Sequence, residues 1–336
     1  MTTGVVIVTY NASDVILDCL ESLIASHNTD LRIVVVDNAS SDDTVARIRA
    51  WADNPTLWQG SDDGQFVPVA HGPIHLTEKV PAAASGELAL IAHPVNTGFA
   101  GGVNIGLRLL QADPGVDYFW ILNPDCVAEN ETAARLEAEA ARVKDHFSLI
   151  SGRIYYKKPD LMIQSDGGRI NFLTGICSPF NLGRIGRDIA APPARDLDYV
   201  TGAHMFASRA FLEQAGLMPE EYFLYYEEMD WCCRRGDLPM LFCTEAAVHH
   251  DGGHSLGSAT LRQGPSAMAS YFMGRSRMRF IRRYRPLALP VTFGYSAAKA
   301  MKYLLKGQSP AAFGLLRGIC GLNPTAEVTK RLRPNL

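Results

Sequence analysis

The side chains that could do chemistry in this chain of 336 residues fall at a few abrupt places. The apolar run Val34–Val36 stops on Asp37, followed by Asn38. Thr9, Tyr10 and Asn11 close an earlier apolar run, and Asn123, Pro124 and Asp125 close a later one. Glu227, Glu228 and Asp230 fall within four positions, and His249, His250, Asp251 and His254 follow. Carboxylates at such places can accept hydrogen bonds from an imide N–H or a ribose hydroxyl, hold a hard divalent cation, or take a proton from a hydroxyl. Plainer roles exist for each. An aspartate after a strand often closes a turn or caps a helix, and Asn-Pro-Asp is a common turn. Acids clustered at a helix start are favoured by its dipole. The histidines alone resemble a zinc cluster, but structural zinc usually has four ligands, often Cys, and Cys243 is not at a standard spacing.

The elements that must position these residues follow from periodicity. "GVVIVTYN" and "LRIVVVDN" are β-branched runs that read as strands buried on both faces. Between them, Val15, Ile16, Cys19, Leu20, Leu23 and Ile24 have helical spacing over Ser13–Ser26, with Ser13 as its N-cap. Ser40 or Ser41 is expected to cap a second helix through Trp51, with Asp42 and Asp43 in its first turn. Strand, helix, strand, helix within some fifty residues predicts a parallel sheet with right-handed crossovers. Ligands in such sheets sit beyond the carboxyl ends of the strands. Three polar ends converging there are harder to dismiss than one.

Residues 54–94 are rich in Gly and Pro, and read as an excursion that ends in a short strand near Leu88–Ala92. "NTGFAGGVNIGLRLL" is a glycine-rich turn opening a helix. It suits either a phosphate or sugar held close against backbone N–H groups or tight packing of helix on strand. "YFWILNPDC" reads as a strand ending in Asp125, and Glu129–Lys144 as an amphipathic helix. Strands and loops follow to Val200, with short helices at Ser208–Gly216 and Glu228–Arg235. If the latter is helical, Asp230 and Arg234 form an i,i+4 pair, which leaves Glu227 or Glu228 free to face a cleft. From Ser266 the chain reads as helical and basic.

Composition excludes some functions. With 32 Lys and Arg against 35 Asp and Glu, the chain is not suited to bulk nucleic-acid binding. No GxGxxG fingerprint follows the first strand, which disfavours a dehydrogenase. The seven cysteines form no CxxC pair, suggesting reduced thiols and a cytoplasmic protein. The N-terminus lacks a basic and apolar leader pattern, and no apolar run reaches the ~18–20 residues of a membrane span.

Taken in order, "VVIVTYN", "VVVDNASSDDT", "NTGFAGGVN", "WILNPD" and "FLYYEEMDWCCRRG" resemble the family 2 glycosyltransferases, specifically a rhamnosyltransferase-like branch with NPD in place of DxD. The resemblance covers about residues 4–257. It implies an α/β, GT-A Rossmann-like, mostly parallel sheet flanked by helices, with a helical C-terminal extension. The expected division is 1–265 for the catalytic domain, with a nucleotide-sugar half to 125 and an acceptor half after it, and 266–336 for the extension. The implied activity is inverting transfer of a sugar, rhamnose as the first guess, from a nucleoside diphosphate to a polysaccharide or lipid-linked glycan.

By the same resemblance, Asp37 holds the base or ribose of the donor, and Thr9, Tyr10 and Asn11 line that pocket. Asn96, Gly98 and Asn104 lie along the donor sugar and diphosphate. The departing diphosphate gains charge, which a divalent cation can receive as a Lewis acid. Mg²⁺ or Mn²⁺ prefers oxygen and often keeps waters, so Asp125 is the candidate ligand, with Asn123 where many relatives have an acid. The resemblance adds His249 to the metal–diphosphate. It maps the base that takes the acceptor's proton onto Glu228, one methylene longer than the family's usual Asp. Gly202, Glu227 and Trp231 fall on the acceptor side. The chain departs from the family at Pro219, where relatives often have Asp.

The basic helix with Arg275, Arg277, Arg279, Arg282, Arg283 and Arg285 has three readings: packing on the catalytic domain, contact with an acceptor diphosphate, or peripheral contact with an anionic membrane at the inner leaflet. Two rivals to the transferase remain: a relative that binds nucleotide sugars or glycans without catalysis, and a sugar-phosphate nucleotidylyltransferase. The second is expected to carry a basic pyrophosphate loop near the N-terminus, which "VTYNASD" is not.

Overall fold

The computed structural model describes residues 1–27, 29–60, 66–70, 74–77, 87–251, 264–326 and 328–329. The first half runs β1 (Thr2–Thr9), α1 (Ile16–Ile24), β2 (Asp30–Asn38), α2 (Thr44–Asp53), β3 (Thr56–Gly60), β4 (Phe66–Ala70), β5 (His75–Thr77), β6 (Glu87–His93), α3 (Gly98–Gln111) and β7 (Tyr118–Leu122). Then come β8 (Cys126–Ala128), α4 (Thr132–Arg142), β9 (Leu149–Tyr156), β10 (Ile163–Ser165), β11 (Gly168–Asn171), β12 (Ile176–Pro179), β13 (His204–Ser208), α5 (Arg209–Ala215), α6 (Glu227–Cys233) and β14 (Leu241–His250). The chain continues through α7 (Ala267–Tyr284), α8 (Leu289–Leu305) and α9 (Ser309–Ile319).

Ten of the described strands form one sheet, ordered β5-β6-β2-β1-β7-β13-β9-β14-β8 with β10 attached to β9. From β5 to β7 every pairing is parallel. β13 then runs antiparallel between β7 and β9, and β14 lies parallel to β9 and antiparallel to β8. The excursion adds β5 and β6 to one edge of this sheet, and β3 pairs with β4 beside it.

Alternation along β1 explains the two layers. Val5 and Ile7 pack with α1, α2 and α4, while Val6 and Val8 pack with α3. Burying each such side chain contributes about 1.5–3 kcal/mol. The glycines of α3 serve this contact: a Cβ on Gly102 or Gly106 would lie 2.5 or 2.6 Å from Val8 or Val6. Close packing, rather than ligand approach, therefore accounts for those two. β2 lies on one side of β1 and β7 on the other, so the order reverses there, which is where open α/β sheets bind ligands beyond the strand ends.

Several helix starts differ from expectation. Ser13 does not cap α1, whose N-cap is Val15; the Ser13 N–H donates instead to Asp42. Ser40 and Ser41 do not cap α2, because their side chains bond Asp37 and Asn11. Ser208 and Ser266 do cap α5 and α7, accepting from Phe211 N–H and Ala269 N–H. All seven cysteines are free thiols. Among the described residues no helix is long and apolar enough to cross a membrane.

Candidate functional site

The ends of β1, β2 and the loop before α3 are knitted together by side chains. Asp37 is 3% exposed. Its Oδ1 accepts from the Thr9 hydroxyl at 2.9 Å and from the Ser40 hydroxyl, and its Oδ2 from Ser40 N–H at 3.0 Å. Oδ2 has room for one more donor. Asn11 sits at φ 51, and its Oδ1 accepts from Ser41 N–H at 2.8 Å. Asn38 donates to Asn96 and to Gly98 carbonyl, and Asn96 accepts from Gly98 N–H at 2.9 Å. Tyr10 also bonds Asn96; burial raises the Tyr10 pKa despite that bond.

Gly98 belongs to this loop for a backbone reason. Its φ is +80, and a Cβ would lie 2.4 Å from Phe223 carbonyl oxygen. The next N–H, of Phe99, donates to that same oxygen at 3.0 Å. Asn104 does not join the pocket expected of it. It is buried inside α3, where it donates to Met218 carbonyl and Glu220 and accepts from Met218 N–H, fixing the chain before the acidic motif.

Asp125 follows β7 by three residues and is also buried. The structure puts His250, not His249, beside it. Successive side chains of a strand point to opposite faces, so only one of the pair on β14 can face Asp125. His250 Nε2 lies 3.1 Å from Asp125 Oδ1, and Asn123 Nδ2 is 3.3 Å from the same nitrogen. On the other face, His249 stacks on Tyr155 and bonds Glu129 at 3.2 Å. Burial would raise Glu129, but its bonds from His249 and Arg187 prevail and pull it down to about 2. Burial likewise works against Asp125, and the charge and hydrogen bond of His250 outweigh it, keeping the carboxyl below its usual range.

Gln164, on β10, orients this pair. Its Oε1 is 2.6 Å from His250 Nδ1, and it also bonds Tyr156. An amide oxygen only accepts, so Nδ1 carries a proton. Nε2 then faces Asp125 Oδ1 and the Asn123 amide, an arrangement that a proton or a cation between imidazole and carboxylate completes. Asp125, Cys126 and His250 offer ligand atoms within 4.8 Å of one another. The Cys126 thiol donates to Ala203 carbonyl and burial pushes its pKa far up, so the donor set reduces to carboxylate and imidazole. Those donors fit Mn²⁺ or Mg²⁺. His254 lies outside the described residues.

The acidic motif is reached through a strained approach. Phe223, Tyr225 and Tyr226 all have positive φ, at 66°, 64° and 71°. Bulky residues there cost about 1–3 kcal/mol each, and such strain clusters at active sites. α6 then begins at Glu227, one residue earlier than its spacing suggests, so both glutamates fall in its first turn. Glu227 is buried and Glu228 partly exposed. The Oε2 of each is enclosed without a hydrogen-bond partner. Burial, with the neighbouring Glu228 charge, raises Glu227 well above the carboxylate range; burial raises Glu228 to about 7.

Asp230 is fully committed elsewhere, as its spacing to Arg234 foretells. It accepts from Arg234 at 2.6 Å, from Tyr222 at 2.6 Å and from Arg283 at 2.7 Å. Trp231 does not reach the cleft. It is fully buried against Phe211, and its Nε1 donates to Gly216 carbonyl. Gly202 does lie at the glutamates: a Cβ there would sit 3.8 Å from Glu228 and 3.4 Å from Phe99. The adjoining Ala203 carbonyl accepts from Asn123 N–H at 3.1 Å. Short contacts thus join the Asp125 turn, Gly202, Glu228 and the Gly98 loop.

α7 braces this motif from behind. Arg277 is buried and donates to the Tyr226 hydroxyl, Ser276 donates to Leu224 carbonyl, and Arg283 reaches Asp230 and Glu221. These arginines are spent on the protein itself, which favours the packing reading of the basic helix for α7.

The sequence comparisons bear on the same strand ends. Residues 4–64 match the model described as Glycosyl transferase family 2. A stretch of 147 residues is 29% identical to the low-salt glycan biosynthesis hexosyltransferase Agl10 of Haloferax volcanii. It spans 41% of this chain and 43% of that relative, less than half of either. Among solved structures, GalNAc-T7 with UDP, GalNAc and Mn²⁺ superposes with a TM-score of 0.53 at 12% identity, over 86% of this chain and 51% of that one. The mannosyltransferase PcManGT of Pyrobaculum calidifontis, solved with GDP-Man and Mn²⁺, gives 0.49 at 14% identity, over 99% and 88%. The fold is GT-A-like: a mixed, mostly parallel sheet flanked by helices, with helices at the C-terminal side. The matched residues 4–64 include Thr9, Tyr10, Asn11 and Asp37, at the ends of β1 and β2.

Proposed function

We propose that the chain transfers a hexosyl group from a nucleoside-diphosphate sugar to a hydroxyl of a glycan, inverting the anomeric centre. The observation that carries this reading is Glu228: a carboxyl raised to about 7, with an unpartnered oxygen, at the end of a strained segment and joined through Gly202 and Ala203 to the Asp125 turn. A base with a pKa near the working pH is suited to accept a hydroxyl proton. The acceptor oxygen forms a bond to the anomeric carbon, its proton passes to Glu228, and the bond from that carbon to the diphosphate breaks. Attack from the face opposite the leaving group inverts the centre. Burial and the Glu228 charge raise Glu227 well above the carboxylate range, which disfavours a second negative charge beside the base.

On the donor side, the free position on Asp37 Oδ2 receives an imide or ribose donor, and the Thr9 and Ser40 bonds hold the carboxylate in place. Asp125 and His250 would hold Mn²⁺ or Mg²⁺, with Gln164 fixing the imidazole. Such an ion supplies Lewis-acid stabilisation of the departing diphosphate. The hexosyltransferase relative and the UDP- and Mn²⁺-bound neighbour support the donor class. Rhamnose is the first donor sugar to try, from the resemblance of the NPD motif, and a polysaccharide or lipid-linked glycan the first acceptor.

The test is mass spectrometry of wild type and Glu228→Gln incubated with a set of nucleotide sugars, a polysaccharide or lipid-linked glycan acceptor, and Mn²⁺. The reading expects nucleoside diphosphate and a glycosylated product from wild type only, with donor binding kept in the variant. Equal turnover by both removes Glu228 from the role.

A further inference from the structure

α8 packs Ala300, with Ala297, Tyr303 and Leu304 partly buried, against α9, yet carries a second apolar face outside. The side it buries carries Thr292, Ser296 and Ala300, with Thr292 donating to Leu173 carbonyl and Ser296 accepting from Arg277. Positions 291, 294, 298, 301 and 305 lie on the opposite side at helical spacing, and they are Val, Gly, Ala, Met and Leu. Val291 is 52% exposed, Met301 56% and Leu305 83%; Leu287, in the turn leading into the helix, is 95% exposed. A contiguous apolar face of this kind is uncommon on a protein that stays alone in water.

Charge decides what covers it. Residues 264–326 contain ten Lys and Arg and no Asp or Glu, in a chain where acids outnumber bases. Lys302 and Lys306 are exposed at the border of the apolar stripe. A second copy of the chain docked face to face here would bring basic surface against basic surface. An anionic bilayer complements the lysines and accepts the apolar stripe among its acyl chains. Seventeen residues of helix, interrupted by lysines and seated along α7 and α9, suit a position in the plane of the interface rather than across it.

We propose that the outer face of α8 is a docking surface for an anionic lipid bilayer, with Val291, Met301 and Leu305 entering the interface and Lys302 and Lys306 meeting lipid phosphates. This face is distinct from the arginines of α7 and does not depend on the transfer reaction.

The test is flotation of the full chain with vesicles of phosphatidylcholine alone or containing phosphatidylglycerol, alongside its oligomeric state by light scattering. The proposal expects binding to the anionic vesicles and little to the neutral ones. V291E/M301E/L305E and, separately, K302E/K306E should each lower the partition coefficient about tenfold or more. All five side chains are exposed, so circular dichroism and melting should stay as in wild type. Absence of vesicle binding overturns the proposal, as does binding that survives the three apolar substitutions. A dimer that V291E/M301E/L305E dissociates, without lipid binding, assigns the face to a second copy instead.

Discussion

Replacing Glu228 by Gln should make the protein more stable above neutral pH, and the size of the gain can be worked from burial. The Glu228 carboxyl is raised from an ordinary 4.5 to about 7 because its charged form is desolvated. An acid with a raised folded-state pKa favours folding below its unfolded pKa relative to higher pH. Below about pH 4.5 both states are neutral and no penalty exists. Between 4.5 and 7 the unfolded chain ionises while the folded one resists, and above 7 the penalty is complete. The full shift corresponds to ~3 kcal/mol. Partial exposure of the side chain reduces this to about 1–2 kcal/mol. Burial keeps Glu227 raised in both proteins, and loss of the Glu228 charge relaxes it in the variant, which adds to the gain at high pH rather than opposing it. Urea unfolding at pH 5, 6, 7 and 8.5 should show the advantage of Glu228→Gln growing by that amount with pH, mostly between 5 and 8. A difference that is flat with pH, or one that shrinks toward alkaline pH, refutes the desolvated-carboxyl argument and with it the poised base.

Gly98→Ala should cost about 2 kcal/mol or more, from a left-handed φ and a Cβ driven against Phe223 carbonyl, and should lower the melting temperature; an unchanged melting point would mean the loop yields freely. Asp166→Ala should cost about 3–5 kcal/mol, because it strands Arg153, which is wholly buried and held by Asp166 at 2.7 Å. Chemical denaturation measures that loss, and a cost below about 1 kcal/mol would show that water reaches the arginine. Gln164→Ala should weaken Mn²⁺ binding by about 10–100-fold, read as free Mn²⁺ by electron paramagnetic resonance, with folding intact. Unaltered affinity would leave Gln164 a merely structural partner of Tyr156.

Much of the fold was legible because its strands are buried on both faces. Runs such as Val5–Val8 and Ile33–Val36 have no other reading once helices with apolar stripes separate them, and the three polar ends do converge. Helix caps were less legible. Ser13, Ser40 and Ser41 have the right chemistry to cap, but Ser40 turns back to Asp37, and Ser13 and Ser41 bond partners some thirty positions away. The same limit applies to the site. The adjacency of His249 and His250 shows that only one can face a given side of a strand, yet which one depends on the register of β14 against β8 and β9. Asn104 and Trp231 looked functional from their motifs and turned out to be anchors inside the core. Gln164 and the left-handed backbone at Tyr225 and Tyr226 had no sequence signal. The arginines of α7 left three readings open because their partners, Tyr226 and Asp230, lie some fifty positions away.

The measurement that bears most directly on the central claim is a thermal-shift panel of nucleotide sugars, with and without Mn²⁺, on wild type and Asp125→Ala. Binding to the folded state raises the melting temperature by mass action. The account predicts a metal-dependent rise with donors of one nucleotide family, lost in Asp125→Ala. A folded wild type that responds to no nucleotide sugar under any condition, or a rise that Asp125→Ala leaves intact, contradicts it.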